Sequence, residues 1–234
     1  MTTPHHTTNP LEAPFHELVR KRRALRAFKP DPVPDDVLRS VLEDAQHTPS
    51  QCNTQPWQMH IVSGKARDEL SAAIQAEEKI GHRTPDFTFA RTDYPALYEA
   101  RAQHQGAEYY KALGIPREDK AARRDVMWRN YTFFGAPHVA LLFMPQVGDD
   151  VRIAGDLGMY GQTFLLSLAA HGLGGCPQTY LGFYAGTIRK VLGIDENSKM
   201  LFGVSFGYPD MTAPANSVYK IGRAPLKDSV TFHS

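Results

Sequence analysis

Residues 150–171 place the strongest constraint on any fold this chain can adopt. Ile153, Ala154, Leu157, Tyr160, Phe164, Leu165 and Leu168 recur at helical spacing, and small or apolar residues fill most of the remaining circumference. A helix of that kind cannot keep one broad face in water. It must be enclosed, either at the centre of a core or in an interface between subunits.

Other elements group around it. Pro14 suits a helix start, and Phe15, Leu18 and Val19 make a short apolar stripe after it. In residues 32–46, Val37, Leu38, Val41, Leu42 and Ala45 share one helical face, while Asp35 and Asp36 complement the dipole of the first turn. Further helices are expected over 64–78, 95–112, 116–131 and 184–192, and strands at 57–64, 138–144 and 200–207. Residues 84–94 are aromatic, Pro-bearing and irregular.

Helices outnumber strands and interleave with them without strict alternation. That pattern indicates an α+β fold in three layers, with a small mixed sheet between helices. No repeat, low-complexity tract or Gly/Ser linker divides the chain. Residues 14–234 therefore read as a single domain behind a flexible, polar lead-in, residues 1–13. The tail from Asp210, with Pro214 and Pro225, has too few apolar residues for a core of its own. It is expected to wrap over another surface, such as a second subunit.

Charge and cysteine content narrow the function classes. The formal net charge is +1, so no global field draws the chain to nucleic acid or to an anionic membrane. The longest apolar runs, such as residues 139–144, are far short of a membrane span, and the opening MTTPHHTTNP lacks the apolar core of a secretion signal. Cys52 and Cys176 are too few for a disulfide framework, and their spacing fits no zinc or CxxC pattern. A cytoplasmic protein with reduced thiols is expected. The 10 histidines form no HExxH motif or other ligand spacing, so no metal site is expected.

Three segments carry possible chemistry. Residues 20–29, RKRRALRAFK, hold six basic side chains and no acid. Arg22 and Arg26 would share a helical face, or converge with Arg23 on one oxyanion if the helix breaks there. Guanidinium groups suit phosphate because they donate in a planar fork; a solvated basic face is the plain alternative. The loop from Pro49 to Trp57, with Ser50, Asn53 and Gln55, presents amide and hydroxyl groups that can read a flat heterocycle's edge, or merely cap a helix. Gly172 to Thr179 is glycine-rich and lacks GxGxxG spacing, which leaves close backbone approach to a ligand or a helix C-cap.

Gly203-Val204-Ser205-Phe206-Gly207 matches a GxSxG nucleophile elbow, but Pro209 and Pro214 follow where a helix must begin. A serine hydrolase is disfavoured on that ground.

Taken in order, these segments resemble the nitroreductase family. Arg22-Arg23-Ala24-Leu25-Arg26-Ala27-Phe28 is similar to its R-R-S-x-R-x-F element, Pro49 to Trp57 to its P-S-x-x-N-x-Q-P-W loop, and Gly175 to Thr179 to its C-P-Q segment. Arg223-Ala224-Pro225-Leu226 resembles its C-terminal R-x-P-L element. The resemblance covers about residues 15–230.

It implies an intertwined homodimer with FMN between the subunits. Arg22 and Arg23 would bind the FMN phosphate, with Arg223 closing on it and Arg26 beside the pyrimidine end. Pro49, Ser50, Asn53 and Gln55 would come from the other subunit, and Pro177, Gln178 and Thr179 would lie against the ring system. Ala24 stands where the family usually has Ser, a departure that costs at most about 1.5–3 kcal/mol of FMN binding. The implied activity is hydride transfer from NAD(P)H through FMN to an electron-poor small molecule, such as a nitroaromatic or quinone. Reductive dehalogenation, flavin breakdown and non-catalytic flavin binding stay open as alternatives. No catalytic acid or base is assigned. Phe87, Phe89 and Tyr94, with Arg129 and Tyr131, are candidates for a substrate-facing cap or for ordinary packing.

Overall fold

The strand His138–Pro145 (β2) is buried along nearly its whole length. Val139, Leu141 and Phe143 join one core cluster, whereas Ala140, Leu142 and Met144 join another. Side chains of a strand alternate between faces, so a strand apolar on both faces needs a helical layer on each side. The computed structural model, which describes residues 9–88 and 90–233, has both layers.

The sheet contains Gln58–Ser63 (β1), β2, Gly174–Gln178 (β3) and Ser198–Gly207 (β4), in the order β1-β2-β4-β3. All three pairings are antiparallel. The sheet is therefore antiparallel rather than mixed as the sequence predicts, and the parallel pairing among the described residues is the isolated bridge between Ala24 and Gly175. A helical connection can return the chain in either direction, so helix count says nothing about strand direction. β3 itself was not expected, because its GGCPQ sequence is poor in strand formers. It lies at the sheet edge, where a proline such as Pro177 is tolerated.

On one face of the sheet, Leu70 and Ile74 of Gly64–Lys79 (α3) and Ile188 of Ala185–Leu192 (α7) pack on β2. On the other lie Asp35–Gln46 (α2) and Val151–Ala170 (α6), through Val41, Ala45, Leu157, Tyr160, Phe164 and Leu168. α6 is thus the central helix of its layer. Its outer side, with Gly155, Gly158 and Met159, remains exposed in the single chain.

The helix Glu12–Lys21 (α1) contacts α6, yet none of its residues is buried, and Phe15 and Val19 stay exposed. It begins inside the stretch assigned to the lead-in; residues 1–8 of that stretch lie outside the described residues. Beyond the layers stand Ala96–Ala112 (α4) and Lys120–Trp128 (α5). The second is shorter than the expected 116–131: Asp119 caps its start by accepting the Ala122 N–H at 2.9 Å, and the chain turns after Arg129. The tail docks on its own chain first. Ala215 of Pro214–Ser217 (α8) and Tyr219 form a third cluster with Tyr109 of α4. Further on, Leu226, Val230 and Phe232 are exposed. Among the described residues no helix is long and apolar enough to cross a membrane.

Candidate cofactor site

α1 stops at Lys21 because Arg22 turns extended, at φ −61° and ψ 127°. Arg22 to Arg26 therefore form an extended strip rather than a helical face. The strip runs against β3: Ala24 bridges Gly175, and the Leu25 N–H donates to the Gly175 carbonyl at 3.2 Å. The paired glycines permit this approach. A Cβ on Gly174 would meet Leu25 Cδ1 at 2.6 Å, and one on Gly175 would meet Leu165 Cδ2 at 2.7 Å. A methyl at either position would force Leu25 or Leu165 to shift.

The arginines of this strip are half-buried, and among the described residues none pairs with a carboxylate. Arg22 Nε is buried without a hydrogen-bond partner. Burial, and then the positive charge of Arg223, hold the Arg22 pKa below the ordinary arginine value. Arg223, from the opposite end of the chain, thus lies near enough for its charge to act on the Arg22 guanidinium. Arg23 is engaged differently, donating through Nη1 to the Tyr219 carbonyl at 2.7 Å and through Nη2 to the Asn216 carbonyl. It ties the tail down and so carries Arg223 toward Arg22.

Arg26 lies in an aromatic clamp, its guanidinium carbon 4.9 Å from the Tyr109 ring centroid and 5.7 Å from that of Tyr219. Its Nη1 is buried and unpartnered, as is the Tyr109 hydroxyl. Arg129 holds the Arg26 carbonyl with a 2.9 Å hydrogen bond. Asn216, wholly buried, accepts the Arg26 N–H at 2.8 Å and donates to the carbonyls of Ala27 and Asp210, both at 2.8 Å. Sequence reasoning missed Asn216, Tyr109 and Tyr219. The one signal for Asn216 was Pro214, which opens the short helix that aims it.

A groove of about 530 Å³ adjoins the strip, lined by Arg22, Arg23, Leu165, Leu173, Gly174 and Gly175 among others. The strip, β3 and the tail are brought together by one chain. The loop from Pro49 to Trp57 is not. It is fastened to Asp156, whose carboxylate accepts the Gln51 N–H at 3.3 Å, and to Tyr160, on which Trp57 stacks at 4.7 Å. From Asp156 to the groove at Leu165 is about 14 Å along α6. Within the loop Cys52, Asn53 and Gln55 take positive φ values of 50°, 57° and 49°. Ser50 steadies it, its hydroxyl accepting the Gln55 N–H at 2.9 Å. Pro49, Asn53 and Gln55 are exposed.

At the end of β3, Pro177 and Thr179 are exposed, whereas Gln178 turns inward. Its amide donates to the Asn130 carbonyl at 3.0 Å and accepts the Ser205 hydroxyl. Ser205 is fully buried inside β4, near its C-terminal end, and a bend rather than a helix follows, so it makes no nucleophile elbow. Cys176 is buried, which pushes its thiol pKa up to about 11 and leaves it unreactive at neutral pH.

The cap candidates divide. Tyr131 is fully buried, edge-on to Trp128 and Tyr184, and is a core residue. Phe87 packs against the α2/α6 cluster, next to Asp86, which holds Arg189 Nη1 at 2.5 Å and the Met200 N–H at 2.8 Å. Tyr94 is exposed, and Phe89 lies outside the described residues.

Residues 19–208 match the model of the nitroreductase family. The chain is 44% identical over 234 residues to nitroreductase NfnB of Mycolicibacterium smegmatis, covering 99% of this chain and 97% of that protein. It is 32% identical to a 4-nitrobenzoate reductase of Pseudomonas putida, covering 87% of this chain and 89% of the relative. The fold superposes with a TM-score of 0.91 on the crystal structure of the FMN-dependent nitroreductase NfnB from Mycobacterium smegmatis in complex with NADPH, at 42% identity, covering 96% of this chain and all of the other. The chain belongs to the nitroreductase family.

Proposed function

We propose that this protein is an FMN-dependent oxidoreductase that takes hydride from NAD(P)H and reduces an electron-poor acceptor, a nitroaromatic or quinone. The carrying observation is the pair of buried, unpartnered guanidinium nitrogens, Arg22 Nε and Arg26 Nη1. A buried donor left unsatisfied costs about 1–3 kcal/mol, and a charged one more, so the site is built for an anionic, acceptor-rich ligand. FMN has a dianionic phosphate at one end and carbonyl oxygens at the other. The donors here fit both ends.

Arg22 and Arg223 would hold the phosphate, and their mutual repulsion would be relieved by it. Arg23 positions both through its hydrogen bonds to the tail. Ala24 supplies no hydroxyl, so main-chain and guanidinium donors carry the phosphate. Arg26, fixed by Tyr109, Tyr219 and Arg129, would set a permanent positive charge at the pyrimidine end. Pro177, the Gln178 main chain and Thr179 would border the ring. When bound, FMN supplies the two-electron transfer between NAD(P)H and the acceptor.

The polar loop must come from elsewhere, because in one chain it stands about 14 Å along α6 from the arginine groove. A homodimer would bring Pro49, Ser50, Asn53 and Gln55 of the partner subunit to the site. The exposed apolar side chains of α1, the outer side of α6 and the tail favour such an interface: Phe15 is 57% exposed, Met159 42% and Phe232 85%. Residues 14–234 then act as a single FMN-binding domain, completed by its copy.

The relatives include 4-nitrobenzoate reductases, which makes 4-nitrobenzoate the first acceptor to try. The expected result is NADPH oxidation that depends on both FMN and acceptor, by a protein that sediments as a dimer. A monomer, or a protein that binds FMN but leaves NADPH and NADH unoxidised with every nitroaromatic and quinone tried, would contradict the proposal.

A further inference from the structure

Arg26 is clamped by two tyrosines whose hydroxyls differ. The Tyr219 hydroxyl accepts a hydrogen bond from the Gln105 side-chain amide at 2.9 Å. The Tyr109 hydroxyl is buried and has no hydrogen-bond partner among the described residues. Its ring is nonetheless well fixed, edge-on to Tyr219 at 5.2 Å and with the Arg26 guanidinium carbon 4.9 Å from its centroid. Arg26 Nη1 is likewise buried without a partner. A phenol oxygen can accept from a guanidinium, so the two could have satisfied one another. They do not, and both are left as donors for a third group.

The charge around the hydroxyl narrows that group. Burial raises the Tyr109 pKa, while Arg26 and then Arg129 pull it down, so both cations act on the phenol. It keeps its proton at neutral pH and is a donor. Arg129 turns its Nη2 to the Arg26 carbonyl at 2.9 Å. Among the described residues neither arginine has a carboxylate within ion-pair distance. Two cations and a phenol proton with no anion suit an acceptor oxygen on which negative charge develops. Arg22 and Arg223 account for the phosphate of FMN, which leaves the carbonyl end of its ring for Tyr109.

We propose that the Tyr109 hydroxyl is an FMN contact, donating beside Arg26 to an oxygen at the pyrimidine end of the ring and favouring the reduced over the oxidised flavin. The inference rests on the oxidoreductase reading above and adds to it a residue that tunes the reduction potential. Two-electron reduction places negative charge at the pyrimidine end of a flavin, and a hydrogen bond to a charged acceptor is roughly twice as strong as a neutral one. The tail takes part, because Tyr219 packs on the ring that carries this donor.

The test is Tyr109→Phe, which keeps the ring that clamps Arg26 and removes the oxygen alone. Tyr110→Phe is the control, since that ring lies 5.9 Å from Tyr109 and its own cation is Arg123, at 3.7 Å. Three quantities are measured with neither coenzyme nor acceptor present: Tm of the FMN-free protein, Kd for oxidised FMN, and the midpoint potential of the bound flavin. The FMN-free Tyr109→Phe protein should unfold at or above the Tm of the parent, because the lost hydroxyl had no partner. Its Kd for oxidised FMN should rise about threefold to tenfold. Affinity for reduced FMN should fall at least about tenfold further, which lowers the potential by about 30 mV or more for a two-electron couple. Tyr110→Phe should change none of the three. An unchanged potential, or a lower Tm in the FMN-free Tyr109→Phe protein, would overturn the contact and make the hydroxyl a structural group, while leaving the oxidoreductase reading standing. A parent protein that binds no FMN would sink that reading and this inference together.

Discussion

Asn216 holds Arg26 across 190 residues of sequence: its Oδ1 accepts the Arg26 N–H at 2.8 Å. Its Nδ2 reaches the carbonyls of Ala27 and Asp210, so one buried side chain joins the arginine strip to the tail. Asn216→Ala would remove three hydrogen bonds and leave the Arg26 N–H and the Asp210 carbonyl without their partner, while the Ala27 carbonyl keeps the Asp210 N–H. The expected cost is roughly 3 kcal/mol, or a fall in Tm of about 6–12 °C, together with weaker FMN retention. Thermal unfolding with and without added FMN checks both effects.

Arg22 and Arg223 repel each other in the FMN-free protein, so their removal should act with opposite signs on the two forms. Arg223→Ala should weaken FMN binding roughly tenfold to a hundredfold. It should leave the FMN-free protein at least as stable as the parent. Fluorescence titration with FMN and unfolding of the stripped protein separate the two. Loss of stability without loss of affinity would make Arg223 a structural residue.

Much of this architecture was legible beforehand, and the reasons differ element by element. α2 and β2 announced themselves, the first by a helical apolar period that reflects burial on one face, the second by an unbroken apolar run that reflects burial on both. β3 did not, because its two glycines are there for close packing against Leu25 and Leu165 rather than for strand propensity. The arginines stood out as charge, but their division of labour was hidden. Arg23 reads like Arg22 in sequence, yet tertiary contacts turn it toward Asn216 and Tyr219. Gln178 likewise reads as a ligand contact, and its amide is instead satisfied by Asn130 and Ser205. Tyr109 carried no local signal at all, since its significance arises from contacts with Arg26 and the tail.

Gly175 gives a direct test of the packing that presents the strip. Gly175→Ala places a methyl 2.7 Å from Leu165 Cδ2 and 3.2 Å from Leu168 Cδ1, in a layer with no room for it. The expected destabilisation is about 1–3 kcal/mol. A Leu165→Ala change alone would leave a cavity; combined with Gly175→Ala it should recover part of the loss. Chemical denaturation of the single and double variants measures the coupling.

His138 predicts an acid-labile fold. Its Nε2 accepts the Val33 N–H at 2.9 Å, which requires the neutral ring, and Nδ1 lies 2.5 Å from the Ser63 hydroxyl. Burial, and then the nearby Arg67, hold its pKa below the ordinary value, against a smaller opposite pull from Asp35. Burial lowers the His60 pKa as well. The unfolded chain thus takes up protons first, near pH 6.5. Stability should be full above that pH and fall as pH drops through it toward the folded values, by at most about 1.4 kcal/mol per pH unit per histidine. His138→Gln should lower Tm at pH 8 and flatten its decline toward pH 5.

The central claim, that the arginine strip and its tail hold FMN for hydride transfer, is tested most directly by one spectrum. The purified protein, incubated with FMN and freed of excess, is examined anaerobically in the visible range before and after addition of NADPH. A bound-flavin spectrum that bleaches on mixing is the predicted result. Absence of bound flavin would contradict the site, and a flavin spectrum unchanged by NADPH and NADH would contradict the chemistry.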